Sequence, residues 1–234
     1  MEKAWYQKWW GVLIIGMLIV LIILIINIIF KIINHLQTNL DPEEQNSNII
    51  TSLQKQEQYN IEEIISDENY WIGSANPKLT IIEFADFNCT YCANSFVTMR
   101  EISLKYKNDV KIVFKDYPLL ENSLNLSLAA RCAGEQNKFW EMHDRLFQNA
   151  GSFDTSKQSE ISYFAKQIGL NITQFNNCLA SKKYLPQIQI DYEIGQNLEI
   201  TGTPTWVING YKIAGDIPKN IFIQIIEEFL KIEN

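Results

Sequence analysis

The sequence predicts an α/β fold with an inserted all-helical domain, preceded by one N-terminal transmembrane helix. Three features of the 234 residues lead there. The run Gly11–Phe30 carries no charge; residues 79–114 read strand, helix, strand; Asn209-Gly210 separates two further short strands ahead of a closing helix. Residues 119–198, between the strand-bearing segments, carry a helical pattern.

About twenty helical residues at ~1.5 Å rise span roughly 30 Å, the hydrocarbon thickness of a bilayer. The run G-V-L-I-I-G-M-L-I-V-L-I-I-L-I-I-N-I-I-F contains a single amide, Asn27. A secretory signal has a shorter apolar core followed by small residues at a cleavage site. Here the run passes into Lys31-Ile32-Ile33 with no such site after it, so an uncleaved signal anchor is expected. A buried core helix is the alternative, and the uninterrupted apolar length argues against it. Trp5, Tyr6, Trp9 and Trp10 stand just before the run, where amphipathic rings collect at a headgroup interface. Lys3 and Lys8 precede it and Lys31 follows. That bias predicts a single-pass protein of the cell membrane, N-terminus cytoplasmic and the remaining chain extracytoplasmic. In such a compartment disulfides form and persist.

The soluble part is long enough to bury one core of ordinary size. A net charge of −7 without a basic stripe argues against a nucleic-acid partner. Four cysteines form an even set, which fits two disulfides in an exported chain.

The expected order is an anchor over 1–33, a polar linker over 34–69, an α/β domain from 70–118 and 199–234, and a helical insertion over 119–198. The linker is rich in Asn, Gln and Glu and reads as a solvated tether, although Ile61, Ile64 and Ile65 have partly helical spacing. A flexible chain of that length reaches roughly 30 Å, enough to work near a membrane surface. Leu79-Thr80-Ile81-Ile82-Glu83-Phe84-Ala85 is β-branched and aromatic, a buried strand that runs into Asp86-Phe87-Asn88-Cys89. Asp86 and Asn88 read as turn residues without chemistry of their own. Phe96, Val97, Met99, Ile102 and Leu104 recur as on a helix, and Val110–Phe114 is a second strand, parallel to the first. Helices are expected around 124–132, 139–147, 161–168, 172–179 and 184–198. Trp206-Val207-Ile208 and Lys212-Ile213-Ala214 flank Asn209-Gly210, a two-residue hairpin signal, and Ile221–Leu230 closes the chain.

Phe87-Asn88-Cys89-Thr90-Tyr91-Cys92 places two thiols where a strand enters a helix. Unpaired amides and the helix dipole favour a negative charge there, which lowers the pKa of Cys89, and the thiolate is the nucleophile. Cys92, one turn on, is close enough to attack a mixed disulfide formed at Cys89. A zinc site would need two more ligands at suitable spacing. Cys132 and Cys178 stand alone in helical stretches, and His35 and His143 lie in unrelated places. Redox exchange is therefore favoured over a metal site or inert core thiols, and no metal or cofactor is expected.

Ile82 through Cys92 resembles the active-site segment of DsbA-like members of the thioredoxin superfamily. The resemblance continues in order through Arg131-Cys132-Ala133, Lys138–Phe147, Phe175-Asn176-Asn177-Cys178-Leu179 and Gly202–Gly210, and covers roughly Ile72 to Leu230. It implies a thioredoxin fold with a helical insertion, which agrees with the element order above. It also implies roles. Pro204 falls where the superfamily carries a cis-proline, leaving the backbone at Thr203 to pair with an extended substrate segment. Glu83 matches a buried acid below the disulfide, able to take the proton of Cys92 as that thiol attacks. Cys132 and Cys178 are expected to form a structural disulfide between two insertion helices.

The function that the resemblance implies is thiol–disulfide exchange through Cys89–Cys92, oxidising the cysteines of exported proteins, with a quinone-linked membrane partner restoring the disulfide. Thr90 and Tyr91 depart from the Pro-His pair between the cysteines of the best-known strongly oxidising members. Thr203 is shared with isomerases and reductases. A reductase or isomerase using the same residues is the enzymatic alternative; a tethered peptide-binding or chaperone module is the non-enzymatic one.

Overall fold

The computed structural model describes residues 9–38, 51, 53, 55 and 57–232. The chain divides into two compact units, residues 1–49 and 50–234. The described part of the first is one helix, α1 (Trp9–Thr38). Its Leu13–Ile33 segment, 21 residues with mean hydropathy 3.4 and no buried part, is long and apolar enough to cross a membrane. Within it Asn27 donates back to the Ile23 carbonyl at 2.8 Å. Lys3, Trp5, Tyr6 and Lys8, which argued for an anchor and its orientation, lie outside the described residues.

The second unit is built on strands β1 (Trp71–Gly73), β2 (Leu79–Ala85), β3 (Val110–Asp116), β4 (Thr205–Ile208) and β5 (Tyr211–Ala214). They form one sheet in the order β1-β3-β2-β4-β5. β2 lies at its centre, parallel to β3 from Leu79↔Val110 to Ala85↔Asp116 and antiparallel to β4 from Ile81↔Ile208 to Phe84↔Thr205. Six of the seven β2 residues are buried, so the strand is covered on both faces. Alternation sends Ile82 and Phe84 into a cluster with Val113, Tyr117 and Val207. Ile81, Glu83 and Ala85 face the other way. β4 and β5 turn at Asn209 (φ 48°) and Gly210 (φ 89°), the two left-handed residues that a tight primed turn requires.

Helix α2 (Ile61–Ile64) precedes the sheet, and α3 (Thr90–Lys105) connects β2 to β3. Between β3 and β4 come α4 (Ser123–Gly134), α5 (Phe139–Gln148), α6 (Gln158–Gln167), α7 (Ile172–Ser181) and α8 (Leu185–Asn197). α9 (Lys219–Ile232) closes the fold, with Phe222 edge-on to the buried Trp206 at 5.0 Å. The helical block and the start of α3 share a core rich in rings: Phe87, Phe96, Phe114, Phe139 and Phe147. His143 sits among those rings, 3% exposed, with Nδ1 on the Asp144 carboxylate at 2.9 Å. Burial holds its pKa below the ordinary value. Cys132 on α4 is disulfide-bonded to Cys178 on α7, across 46 residues.

Two expectations are corrected. The end of the predicted linker is part of the fold. Tyr59 N–H donates to the Gly210 carbonyl at 2.9 Å, Gln58 Nε2 donates to the Asn209 carbonyl at 2.8 Å, and Asn60 caps α2. The reason is apolar: Ile64 is 3% exposed in the cluster with Ile82 and Phe84, and Leu53 is 4% exposed. The second correction is β1, a three-residue edge strand antiparallel to β3 that the sequence pattern did not announce.

Sheet and helical block are tied by a buried charge cluster. Arg131 of α4 donates to the Asp116 carboxylate through Nε and to Asp191 of α8 through Nη2, and Lys115 Nζ meets Asp191 at 2.8 Å. Asn69 Nδ2 also reaches Asp191, at 3.3 Å. All four charged residues are at most 2% exposed.

Removing one member leaves its partners charged and dry, so Asp191→Ala is expected to cost roughly 3–5 kcal/mol in denaturant unfolding. Replacing Cys132 and Cys178 together by serine should lower stability by roughly 4 kcal/mol in the chain-entropy model. Exchange at Cys89 should survive that second change, as measured on a small disulfide substrate.

Candidate functional site

The site forms where β2 ends. The strand stops at Ala85, Asp86-Phe87-Asn88 turns the chain, and Cys89 is the N-cap of α3, with φ −85° and ψ 123°. Its N–H donates to the Asp86 carbonyl at 3.0 Å. Cys89 and Cys92 are free thiols; Cys89 is 7% exposed and Cys92 is fully buried. Tyr91 between them is 63% exposed.

Thr203-Pro204 is a cis peptide bond, and the Thr203 carbonyl lies 3.2 Å from Cys89 Sγ. Two bonds fix this loop: the Gly215 N–H to the Pro204 carbonyl at 2.8 Å, and the Thr205 hydroxyl to the Gly202 carbonyl at 2.7 Å. Glu83 is 4% exposed, on the β2 face opposite Ile82 and Phe84, and its Oε1 has no hydrogen-bond partner.

The surroundings push the three titratable groups apart. The Cys89 thiol is lowered to about 5. A hydrogen bond from the Cys92 thiol is the largest cause, followed against the opposing effect of burial by Thr203 and the N–H groups of Cys92 and Tyr91. Those two amides belong to the first turn of α3, where donors lack helical partners. Burial drives the Cys92 thiol far upward, helped by its bond to Cys89 and by the like charge of Glu83. Burial alone raises Glu83 to about 8. At neutral pH one sulfur is a thiolate, the other holds its proton, and the acid beneath them is largely protonated.

Chemically, such a site can attack a disulfide through Cys89, or stabilise Cys89 as a leaving group, and can move a proton between Cys92 and Glu83. Cys89, Cys92, Glu83, Thr203 and Pro204 come together at this end of the sheet, whereas Cys132 and Cys178 belong to the helical block. Among the described residues, no group of three or more His, Cys, Asp or Glu is placed to hold a metal ion.

Sequence reasoning missed Asp86. Its carboxylate accepts N–H bonds from Asn88 (2.7 Å), Leu119 (2.8 Å) and Leu120 (2.9 Å) and the Ser123 hydroxyl. An aspartate two residues before an amide at a strand end is an Asx-turn signal, and that could have found half of this arrangement. Tyr117 was missed too; its ring is buried and its hydroxyl donates to the Ile200 carbonyl at 2.8 Å, bracing the segment that leads to Thr203.

Comparison with known proteins agrees with this fold. The crystal structure of the thiol-disulfide exchange protein alpha-DsbA2 from Wolbachia pipientis superposes with a TM-score of 0.65 at 21% identity, covering 72% of this chain and 90% of that one. BdbD from Bacillus subtilis, in its oxidised form, gives 0.64 at 21% identity, covering 74% and 96%. The fold is therefore the DsbA-like form of the thioredoxin architecture, with its helical insertion. In sequence, the Na(+)/H(+) antiporter NhaA 3 of Salinispora tropica is 30% identical over 158 residues, which are 66% of this chain and 23% of the antiporter. The chain thus spans about a quarter of the length of such curated relatives. A family model described as thioredoxin matches residues 66–228, well over half of the chain. The chain belongs to the thioredoxin family.

Proposed function

We propose that this chain is a thiol–disulfide oxidoreductase that donates the Cys89–Cys92 disulfide to cysteines of exported proteins. One observation carries the reading: Cys89 stands at the N-cap of α3, its thiol held at about 5 chiefly by the Cys92 thiol and the first amides of that helix. A stabilised thiolate favours the dithiol form of the pair, and a pair that favours its dithiol form gives its disulfide away.

A substrate thiolate attacks Cys89 Sγ of the disulfide. The substrate–Cys89 S–S bond forms, the Cys89–Cys92 bond breaks, and the electron pair leaves on Cys92. The protonated Glu83 carboxyl gives Cys92 its proton. A second substrate thiolate then attacks the substrate sulfur of the mixed disulfide. The substrate leaves with its own disulfide, Cys89 leaves as the thiolate, and the pair has gained two electrons. A quinone-linked membrane partner takes them and restores the disulfide. Thr203 and Pro204 present backbone on which an extended substrate segment aligns beside Cys89. Cys132–Cys178 takes no part and pins α4 to α7.

We place the anchor at residues 11–30, with the N-terminus cytoplasmic and the folded unit on the extracytoplasmic side. The thioredoxin-like part comprises 57–118 and 199–234, around the helical insertion 119–198.

The deciding experiment is a redox titration of Cys89–Cys92 against glutathione. A potential well above ~−270 mV, towards ~−120 mV, is expected. A value at or below ~−270 mV reverses the direction and makes the chain a reductase. Cys89→Ser should abolish exchange; a variant that keeps full function would make the chain a peptide-holding module instead.

Glu83→Gln separates the proton step from the first attack. The variant is expected to slow release of Cys92 by roughly tenfold to a hundredfold. Since the donor is the protonated acid, the parent's advantage should be full below pH 8 and vanish as pH rises through the Glu83 value of about 8. Stopped-flow mixed-disulfide formation with a peptide thiol, parent against variant at each pH, reads this directly. An advantage that instead grows with pH would make Glu83 the base of a reductive cycle.

A further inference from the structure

The turn that carries Cys89 is fastened by a group the exchange steps do not use. Asp86 is fully buried, and its partners are neutral donors drawn from two separate segments. Oδ1 takes the Asn88 N–H and the Ser123 hydroxyl; Oδ2 takes the N–H groups of Leu119 and Leu120. Asn88 repeats the link, donating its side-chain amide to the Glu121 carbonyl at 2.9 Å. A single carboxylate therefore holds the turn 86–89 against the loop that opens α4. Removing a carboxylate from water costs several kcal/mol unless its lone pairs are met, so four donors on one buried group mark a site built around it.

We propose that Asp86 is the positioning residue of this site: it fixes the turn 86–89 so that the Cys89 sulfur meets the first amides of α3 and the Thr203 carbonyl. Cys89 makes no side-chain cap bond of the usual kind, so nothing on its own side chain orders the turn. The order comes from the residues before it, through the Asp86 carboxylate to Asn88 and the Asp86 carbonyl to Cys89. Hydrogen bonds weaken steeply with misalignment. A turn released from its carboxylate lets the Cys89 sulfur drift off the axis of the Tyr91 and Cys92 amides, and the thiolate loses their support. Because loop 117–122 is held by the same oxygens, the start of the helical block and the reactive thiol share one fixed reference.

The inference rests on Cys89 being the attacking thiol, and its test reads the thiol itself, whichever way electrons flow. Two variants of the full chain suffice. Asp86→Asn keeps the shape but turns an NH2 group toward one pair of donors. Ser123→Ala removes one donor and leaves the turn residues untouched. For each we would measure the Cys89 pKa by ultraviolet thiolate absorbance, the equilibrium constant with glutathione, and the thermal midpoint. Asp86→Asn is expected to raise the thiol pKa by about one unit, a tenfold loss of thiolate at low pH. The equilibrium constant should move tenfold towards a stable disulfide, ~30 mV. Ser123→Ala should move both in the same direction by roughly threefold.

If both variants keep the pKa and the constant within about twofold of the parent while the thermal midpoint falls, Asp86 merely staples a loop and the proposal is overturned. Should Asp86→Asn fail to fold, Ser123→Ala decides alone by the same margin. A parent chain that exchanges no disulfides sinks the oxidoreductase reading but leaves the comparison of thiol pKa values standing.

Discussion

The arrangement of this molecule depends on four charges that share one dry volume. Lys115 and Asp116 end β3, Arg131 comes from α4 and Asp191 from α8, and their formal charges cancel. Each would be expensive to bury alone, and together they fit only where the three elements meet in one relative placement. That placement governs the rest. It sets where the chain leaves β3, and so where Tyr117 reaches across to Ile200. It sets where α8 delivers the chain to the loop carrying Thr203 and Pro204. The distance between Cys89 and its backbone acceptor is thus settled partly by groups on other elements.

At the site itself, a gradient of burial does most of the electrostatic work. Cys89 lies at the rim, where donors outweigh desolvation; Cys92 and Glu83 lie inside, where desolvation wins. The two sulfurs are three positions apart in sequence and are driven in opposite directions by their surroundings. No imidazolium is among the main groups that lower Cys89, and of the residues between the cysteines Tyr91 contributes its backbone N–H. Here the lowering comes from the Cys92 thiol, Thr203 and the helix amides.

Local patterns were readable in the sequence and distant pairings were not. β2 could be read because Leu79–Ala85 is apolar on both faces, and the β4–β5 turn because Asn209-Gly210 suits two left-handed residues. Glu83 could be placed indoors from Ile82 and Phe84 beside it. β1 was invisible: three residues, Trp71 largely exposed, held by partners on β3 rather than by a pattern of their own. The polar composition of the tether hid the packing of Ile61 and Ile64, which depends on Ile82 and Phe84 of β2, more than fifteen positions downstream. The pairing of Lys115 and Arg131 with Asp191 could not be read because the bonds joining them span 76 and 60 residues. Asp86 combines both cases, with a local turn that a reader can see and loop partners 33 and 34 positions away that a reader cannot.

The clasp of Gln58 and Tyr59 on the β4–β5 turn has a mechanical meaning. That turn lies beside Thr80, at the start of β2, while Cys89 follows the end of the same strand. Six steps of ~3.4 Å set the two ends of that strand about 20 Å apart. Residues 58 and 59 therefore grip the folded unit beside one end of β2, and Cys89 stands beyond the other. A pull applied at Gln58 and Tyr59 would load β4 from its far end, along the strand that begins just after Pro204.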